Sequence, residues 1–461
     1  MKEKKIFDAI TNVSDELIEE ASLTKLKKKG YVWQKWTAMV ACALLIVTIG
    51  VLIPRGEDSS PWSGVMLDVT YPKAYAFEDH QARLAVMEQN PVDESIIAAL
   101  NDFSYRTGSL ILTEAGENIN YSPLSLYYAL SLAASGARND TEEQLLALLG
   151  VPDAQFLSAQ SRNLYHRLYK DNEIGKLKIA NSIWMDNDMN GIPIVFKEDY
   201  VEHAAKYFFA SSHSVDFANK DTGKAMGRWI STNTNGTISP IIDTSPEQIL
   251  SILNTVYFYD EWSDRFDKSK TAQDLFHLLD GNVVKNDFMN QIGWSDFAKG
   301  EGFTRAGLWL KNYNEMVFIL PDEGVSPYEL LSSPEQMRET FEGGEEFTGQ
   351  VVWKIPKFSF SSKLEMTDSL KSLGLSQVFT ADADFTGITE QKAFINSVRQ
   401  ETHIAIDENG VEASAFTQID YAGSAPPTGR ADMILNRPFI YGIKAQNGSL
   451  LFVGVIENPA K

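Results

Sequence analysis

Disulfides are excluded at the outset. The 461 residues hold a single cysteine, Cys42, so no intrachain bridge can form and any folded region is held by its core alone. Histidine is scarce as well. Its six copies (His80, His166, His203, His213, His277, His403) show no metal-ligand spacing, and neither a Gly-x-Ser-x-Gly elbow nor a His-Glu-x-x-His pair occurs. No metal site, no cofactor and no enzymatic centre is therefore expected. Positive charge is also short: 41 Lys and Arg stand against 62 Asp and Glu, a net charge of -21, which leaves no basic footprint for a nucleic-acid partner. Internal repeats are absent. Core material is plentiful, with 44% hydrophobic residues, and points to one large domain.

One uncharged run interrupts the polar N-terminal region. Thr37 to Ile53 spans 17 residues, ended by Pro54 and preceded by Trp33 and Trp36. At about 1.5 Å per residue it reaches the lower end of a bilayer span. Lys25, Lys27, Lys28, Lys29 and Lys35 precede it while Glu57 and Asp58 follow, an asymmetry that predicts a cytoplasmic N-terminus and an extracellular remainder. The alternative, a cleaved signal peptide, fits poorly with a leader rich in acids and lysines and with no small-x-small site. Cys42 falls early in the run, so a cysteine packed in a membrane helix is preferred over a lipidation site. The expected organisation is a cytoplasmic segment over 1–35, a signal-anchor helix over 36–54, an irregular stalk over 55–90 and a folded domain over 91–461. Ile6, Ile10, Val13 and Leu17 suggest a short amphipathic helix in the first segment. A large extracellular domain without disulfides suits a bacterial surface protein.

Beyond Pro91 the pattern is globular. Ile96, Ile97, Leu100 and Phe103 predict a helix, Ser122 can cap the next with Pro123 in its first turn, and Thr141-Glu142-Glu143-Gln144 has capping-box spacing for a third that Gly150 can end. Ile252 to Phe258, Met316 to Leu320, Val351 to Ile355, Phe394 to Val398, Phe439 to Ile443 and Leu450 to Ile456 read as strands, with a hairpin turn at Asn447-Gly448. Helices crowd the first half and strands the second, an α+β arrangement with large sheets.

The most informative stretch is Asp407 to Thr417. Ile404 and Ile406 alternate as in a strand, Gly410 breaks the run, and small residues follow before any turn chemistry. Were this segment to enter a sheet, Val411, Ala413, Ala415 and Thr417 would face one side, and Glu412, Ser414 and Phe416 the other. The first set is small enough to bury.

This run, Glu408-Asn409-Gly410-Val411-Glu412-Ala413-Ser414-Ala415-Phe416-Thr417, resembles the hinge of the serpins, and Asn436-Arg437-Pro438-Phe439 is similar to that family's closing motif. The likeness extends over roughly 91–460. It is carried by Asn120-Tyr121-Ser122-Pro123-Leu124-Ser125, Ile179-Ala180-Asn181-Ser182-Ile183-Trp184, Asn254-Thr255-Val256-Tyr257-Phe258 with Trp262 and Phe266, Pro356-Lys357-Phe358, and Phe452 to Pro459. Each motif alone is weak, but their order is specific.

The resemblance implies a serpin fold, helices around three β-sheets with an exposed reactive-centre loop, and a monomer that inhibits serine proteases without catalysing anything. A protease would cleave the loop, and the freed hinge (Glu408, Gly410, Val411, Glu412, Ala413, Ala415, Thr417) would insert into the main sheet. It assigns Ser122, Ser125 and Asn254 to the shutter that lets the sheet open and Trp262 to the breach where insertion begins, with Gln400 where the family usually has histidine. The family's spacing of seventeen residues from Glu408 places the scissile bond at Ser424-Ala425, within a range from Tyr421 to Pro427. Ala422, Gly423 and Ser424 suit a subtilisin-like or elastase-like pocket, Tyr421 a chymotrypsin-like one, and Arg430, ranked last, a trypsin-like one. The alternative is a non-inhibitory serpin-fold binding or surface protein, whose hinge would commonly carry bulky, charged or proline residues.

Overall fold

The computed structural model describes residues 64–113, 117–189, 191–396, 398–411 and 429–461. The N-terminal amphipathic stripe, the apolar run Thr37 to Ile53, the hinge residues Glu412, Ala413, Ala415 and Thr417, and the bait from Tyr421 to Pro427 with Ser424 and Ala425 lie outside these residues.

Residues Trp62–Lys461 form one compact unit. Among the described residues its main sheet has eight strands, labelled in chain order: β1 (Val65–Leu67), β2 (Lys170–Asp171), β3 (Gly175–Asp186), β4 (Ala210–Val215), β5 (Leu250–Glu261), β6 (Phe358–Glu365), β7 (Arg399–Asp407) and β8 (Gly410–Val411). Their order is β1-β4-β3-β5-β8-β7-β6, with β2 on β3. The β3–β4 pair is parallel and the rest antiparallel, so the chain reaches neighbouring strands through long helical excursions as well as tight turns. Among the same described residues a second sheet of nine strands includes Phe439–Lys444 and Leu450–Ile456, and a two-stranded ribbon makes the third.

Helices cover both faces. Pro123–Gly136 is buried almost all round, from Leu124 through Tyr128 to Ala134, as a helix at the centre of a large domain must be. It touches β5 and Leu450–Ile456, and so joins the two large sheets through one core. Lys220–Asn233 lies on the other side of the main sheet, where Ala225, Met226 and Trp229 close a smaller core with Trp184 and Phe217.

Several local expectations meet a different outcome. Thr141 lies inside a helix that already begins at Asn139, and its hydroxyl accepts from the Asp384 amide instead of capping, because the tertiary contact reaches it first. The described residues of Phe394 to Val398 are not in a strand: Ile395 N–H donates to Val378 O and Val398 N–H to Thr367 Oγ1, so these two donors are satisfied off the ladder and β7 starts at Arg399. Within 55–90, read as a stalk, Val65–Leu67 pairs with β4 and His80–Gln89 is helical. The membrane placement is corrected as well: among the described residues no helix is long and apolar enough to cross a bilayer.

Candidate functional site: the breach and shutter of the main sheet

The site is the line where β8 enters the sheet. Asp407-Glu408-Asn409-Gly410 turns the chain so that Ile406 pairs with Val411 and Asp407 with Gly410. On its other side β8 pairs with β5, Gly410 against Glu261 and Val411 against Asp260. The first two residues after the turn therefore already sit as a strand between β5 and β7. Val411 is buried, as a branched apolar side chain at this register requires. Gly410 is needed for space: a Cβ there would lie 2.4 Å from Asp260 O and 2.7 Å from Glu261 Cα. Any side chain would push the turn out of the seam.

Three acids at the top of the sheet hold this turn and its surroundings, each by different partners. Glu408, 5% exposed, accepts from Thr271 Oγ1 at 2.8 Å and pairs with Lys357 Nζ at 3.0 Å. Burial pushes its carboxyl up, but backbone hydrogen bonding, Thr271 and Lys357 together outweigh that and hold it below its ordinary value. Glu261 forms ion pairs with Lys311 and Arg265, both at 2.8 Å. Asp260 is fully buried and makes no ion pair within 4 Å among the described residues; it accepts from the Asn312 and Asn314 side-chain amides at 2.9 and 2.8 Å. Burial pushes its pKa up to about 7 despite those amides and the backbone N–H groups of Asn312 and Glu261. Trp262, 1% exposed, does more than pack: its indole N–H donates to Asp407 O at 2.8 Å and its backbone N–H to Asn409 O at 3.1 Å.

Lower in the sheet the contacts are neutral. Ser122 caps the helix that Pro123 opens, its Oγ accepting from Ser125 N–H and donating to Leu451 O at 2.8 Å. Gln400, on β7, accepts from Ser122 N–H at 2.8 Å and donates to Ser122 O at 2.9 Å, a reciprocal pair that fixes the orientation of its amide. Ser125 Oγ donates to Asn254 Oδ1, Asn254 Nδ2 to Asn181 Oδ1 at 2.6 Å, and Asn181 Nδ2 to Phe208 O at 2.6 Å. One unbroken chain of hydrogen bonds thus runs from the helix start through β5 and β3 to the end of Glu198–Phe208.

The structure therefore brings Ser122, Ser125, Asn254 and Gln400 together in the middle of the sheet, and Glu408, Gly410, Val411 and Trp262 at its top. His403 is elsewhere, its Nδ1 3.0 Å from Ser361 Oγ. Arg430 lies in the strand Gly429–Ile434 and pairs with Asp432. Reasoning from sequence passed over the roles of Asn181, Lys357, Thr271 and Asp260. Asn181 and Lys357 stood within motifs already noted, but only the fold shows what they touch; Thr271 and Asp260 carried no signal.

A protein with this mixed sheet, this seated hinge and these two clusters has the architecture of a serpin. The family model for serpin (serine protease inhibitor) matches residues 98–459, and the chain belongs to that family. It is 29% identical over 402 residues to Serpin-ZXA of Oryza sativa subsp. japonica, covering 82% of this chain and 98% of that protein. Serpin-Z10 of Arabidopsis thaliana is 30% identical over 383 residues, covering 78% and 97%. Among solved structures, the thermophilic serpin tengpin in its native state superposes with a TM-score of 0.71 at 26% identity, over 85% of this chain and 97% of that one. Serpins are generally protease inhibitors with serine proteases as their targets, and the chain is not an enzyme.

Proposed function

We propose that this chain is a suicide-substrate inhibitor, monomeric, whose loop between Val411 and Gly429 is cleaved by a serine protease and then inserts into the main sheet behind β8. The observation that carries the reading is the seating of Gly410 and Val411, paired on both sides between β5 and β7. Strand growth from this start needs only further residues that bury alternately, and Ala413, Ala415 and Thr417 meet that requirement by sequence. Cleavage at Ser424-Ala425, or within Tyr421 to Pro427, would present small residues to a subtilisin-like or elastase-like pocket. The Ser122, Ser125, Asn254 and Gln400 contacts would part and re-form as the sheet widens, and Trp262 would guide entry at the top.

The test is to mix the full chain with subtilisin, elastase, chymotrypsin and trypsin, look for an SDS-resistant complex, and sequence the released C-terminal peptide. The expected outcome is a complex with subtilisin or elastase and a peptide starting between Ala422 and Pro427. Clean cleavage by all four enzymes without complex would overturn the reading. Heating is an independent check, because a cleaved chain that melts no higher than the intact one has not inserted its loop.

A further inference from the structure

A cavity of about 210 Å³, lined in part by the Asn312 and Asn314 whose amides hold Asp260, lies where the helices His80–Gln89 and Ala154–Leu168 meet the hairpin turn at Asn447. Its walls carry Arg83, Arg167 and Lys170, together with the hydroxyl of Tyr75, and no carboxylate among the described residues that line it. In a chain of net charge -21, three cations share this one small cavity. Their own contacts leave hydrogen-bonding capacity unused. Lys170 Nζ donates to Tyr75 OH at 2.9 Å and Arg167 O at 2.8 Å, which commits two of its three protons. Arg83 stacks over the Tyr313 ring at 4.5 Å and touches His80 Nδ1. Arg167 has no ion pair among the described residues, where the paired arginines are Arg106, Arg265, Arg338, Arg399 and Arg430.

Burial, with Arg83 and Arg167 close by, lowers the Lys170 pKa to about 8, and Asp260 only partly opposes this. The cations repel one another, and an anion between them would remove that cost. The size of the cavity restricts the choice. It falls below the roughly 300 Å³ at which drug-sized pockets begin, yet exceeds the roughly 30 Å³ of a water several-fold. A planar guanidinium fork beside a compact ammonium suits a tetrahedral oxyanion, bound bidentately by the arginine and as a point charge by the lysine.

We propose that this cavity binds a small phosphate dianion, free or as a monoester, held by Arg83, Arg167 and Lys170 with the Tyr75 hydroxyl as an added donor. The experiment is titration calorimetry and thermal melting of the full chain with inorganic phosphate, glycerol 3-phosphate and sodium chloride at matched ionic strength. Saturable binding of either phosphate, with a rise in melting midpoint that chloride does not reproduce, is the expected result; tighter binding of glycerol 3-phosphate identifies the ester as the ligand form, tighter inorganic phosphate the free ion. Arg167→Gln is expected to weaken binding at least tenfold, while Arg228→Gln, on an exposed turn of Lys220–Asn233, leaves it unchanged. At pH 8 binding is expected to draw a proton onto Lys170, seen as a dependence of the measured heat on the buffer, and Lys170→Met abolishes that uptake. Should Arg167→Gln fail to fold, Lys170→Met carries the affinity test with the same tenfold threshold. Equal shifts from chloride, or unchanged affinity in the folded variant, would overturn the proposal.

Discussion

The top and the middle of the main sheet hold the same two strands by opposite means. At the top, Glu408, Glu261 and Asp260 are buried carboxylates with specific partners, which are cationic for Glu408 and Glu261. In the middle, Ser122, Ser125, Asn254, Asn181 and Gln400 form a network without a single ionisable group. The difference has a physical consequence. A buried charge that loses its partner is left at a cost of several kcal/mol, whereas a neutral amide can exchange one partner for another or for water at about 1 kcal/mol. The charged top is thus suited to holding one register, and the neutral middle to opening and closing again.

The largest expected effect comes from adding charge where the top has none to spare. Val411→Asp would bury a carboxylate directly opposite Asp260, which cross-strand pairing penalises. The yield of SDS-resistant complex is expected to fall at least tenfold while loop cleavage continues, as gel densitometry would show; an undiminished yield would remove the hinge from the seam.

Next is the pH dependence that only the top can produce. Asp260 has a folded-state pKa raised to about 7, so its favourable contribution is complete below its ordinary value near 4 and is lost as pH rises through 7. The difference in unfolding free energy between the native chain and Asp260→Asn, from urea midpoints, is expected to decline between pH 4 and 7 by at most about 4 kcal/mol. A flat difference would mean that the buried carboxyl titrates normally.

Smaller, and independent of pH, is the effect of Asn254→Leu. It leaves the Ser125 hydroxyl and the Asn181 carbonyl oxygen without their partner, for an expected loss of about 2 kcal/mol at every pH from 5 to 8. The smallest change would make the middle resemble the top. Gln400→His keeps a donor and an acceptor while the ring is neutral, but protonation removes the acceptor that Ser122 N–H needs. Because burial lowers the folded-state pKa of such a ring, the variant is expected to match the native chain at pH 8 and lose about 1 kcal/mol as pH falls below 6.

Much of this was legible beforehand because it depends on local chemistry. Ser122 followed by Pro123 announces a helix start in any fold, and Gly150 at φ 70° ends its helix as expected. The strands Phe439–Lys444 and Leu450–Ile456, joined at Asn447-Gly448, follow from alternating apolar runs and turn residues. Thr141 and Phe394 to Val398 failed for the converse reason: their local pattern was sound, and a partner distant in sequence, Asp384 for one and Thr367 for the other, took the hydrogen bond. Val65–Leu67 was hidden because three residues have too little periodicity to read; β4 supplies the edge that makes them a strand.

By itself the sequence determined the class of fold, the absence of disulfides, and the small, buriable character of the run after Gly410. These are properties of composition and spacing, which act over a few residues. Tertiary structure decided the rest. It placed Lys357 and Thr271 on Glu408, set Asn181 between Asn254 and Phe208, left Asp260 among amides, and made Gly410 a matter of room as well as freedom. Such contacts join residues tens to hundreds of positions apart, and their energies depend on burial that no window of sequence contains.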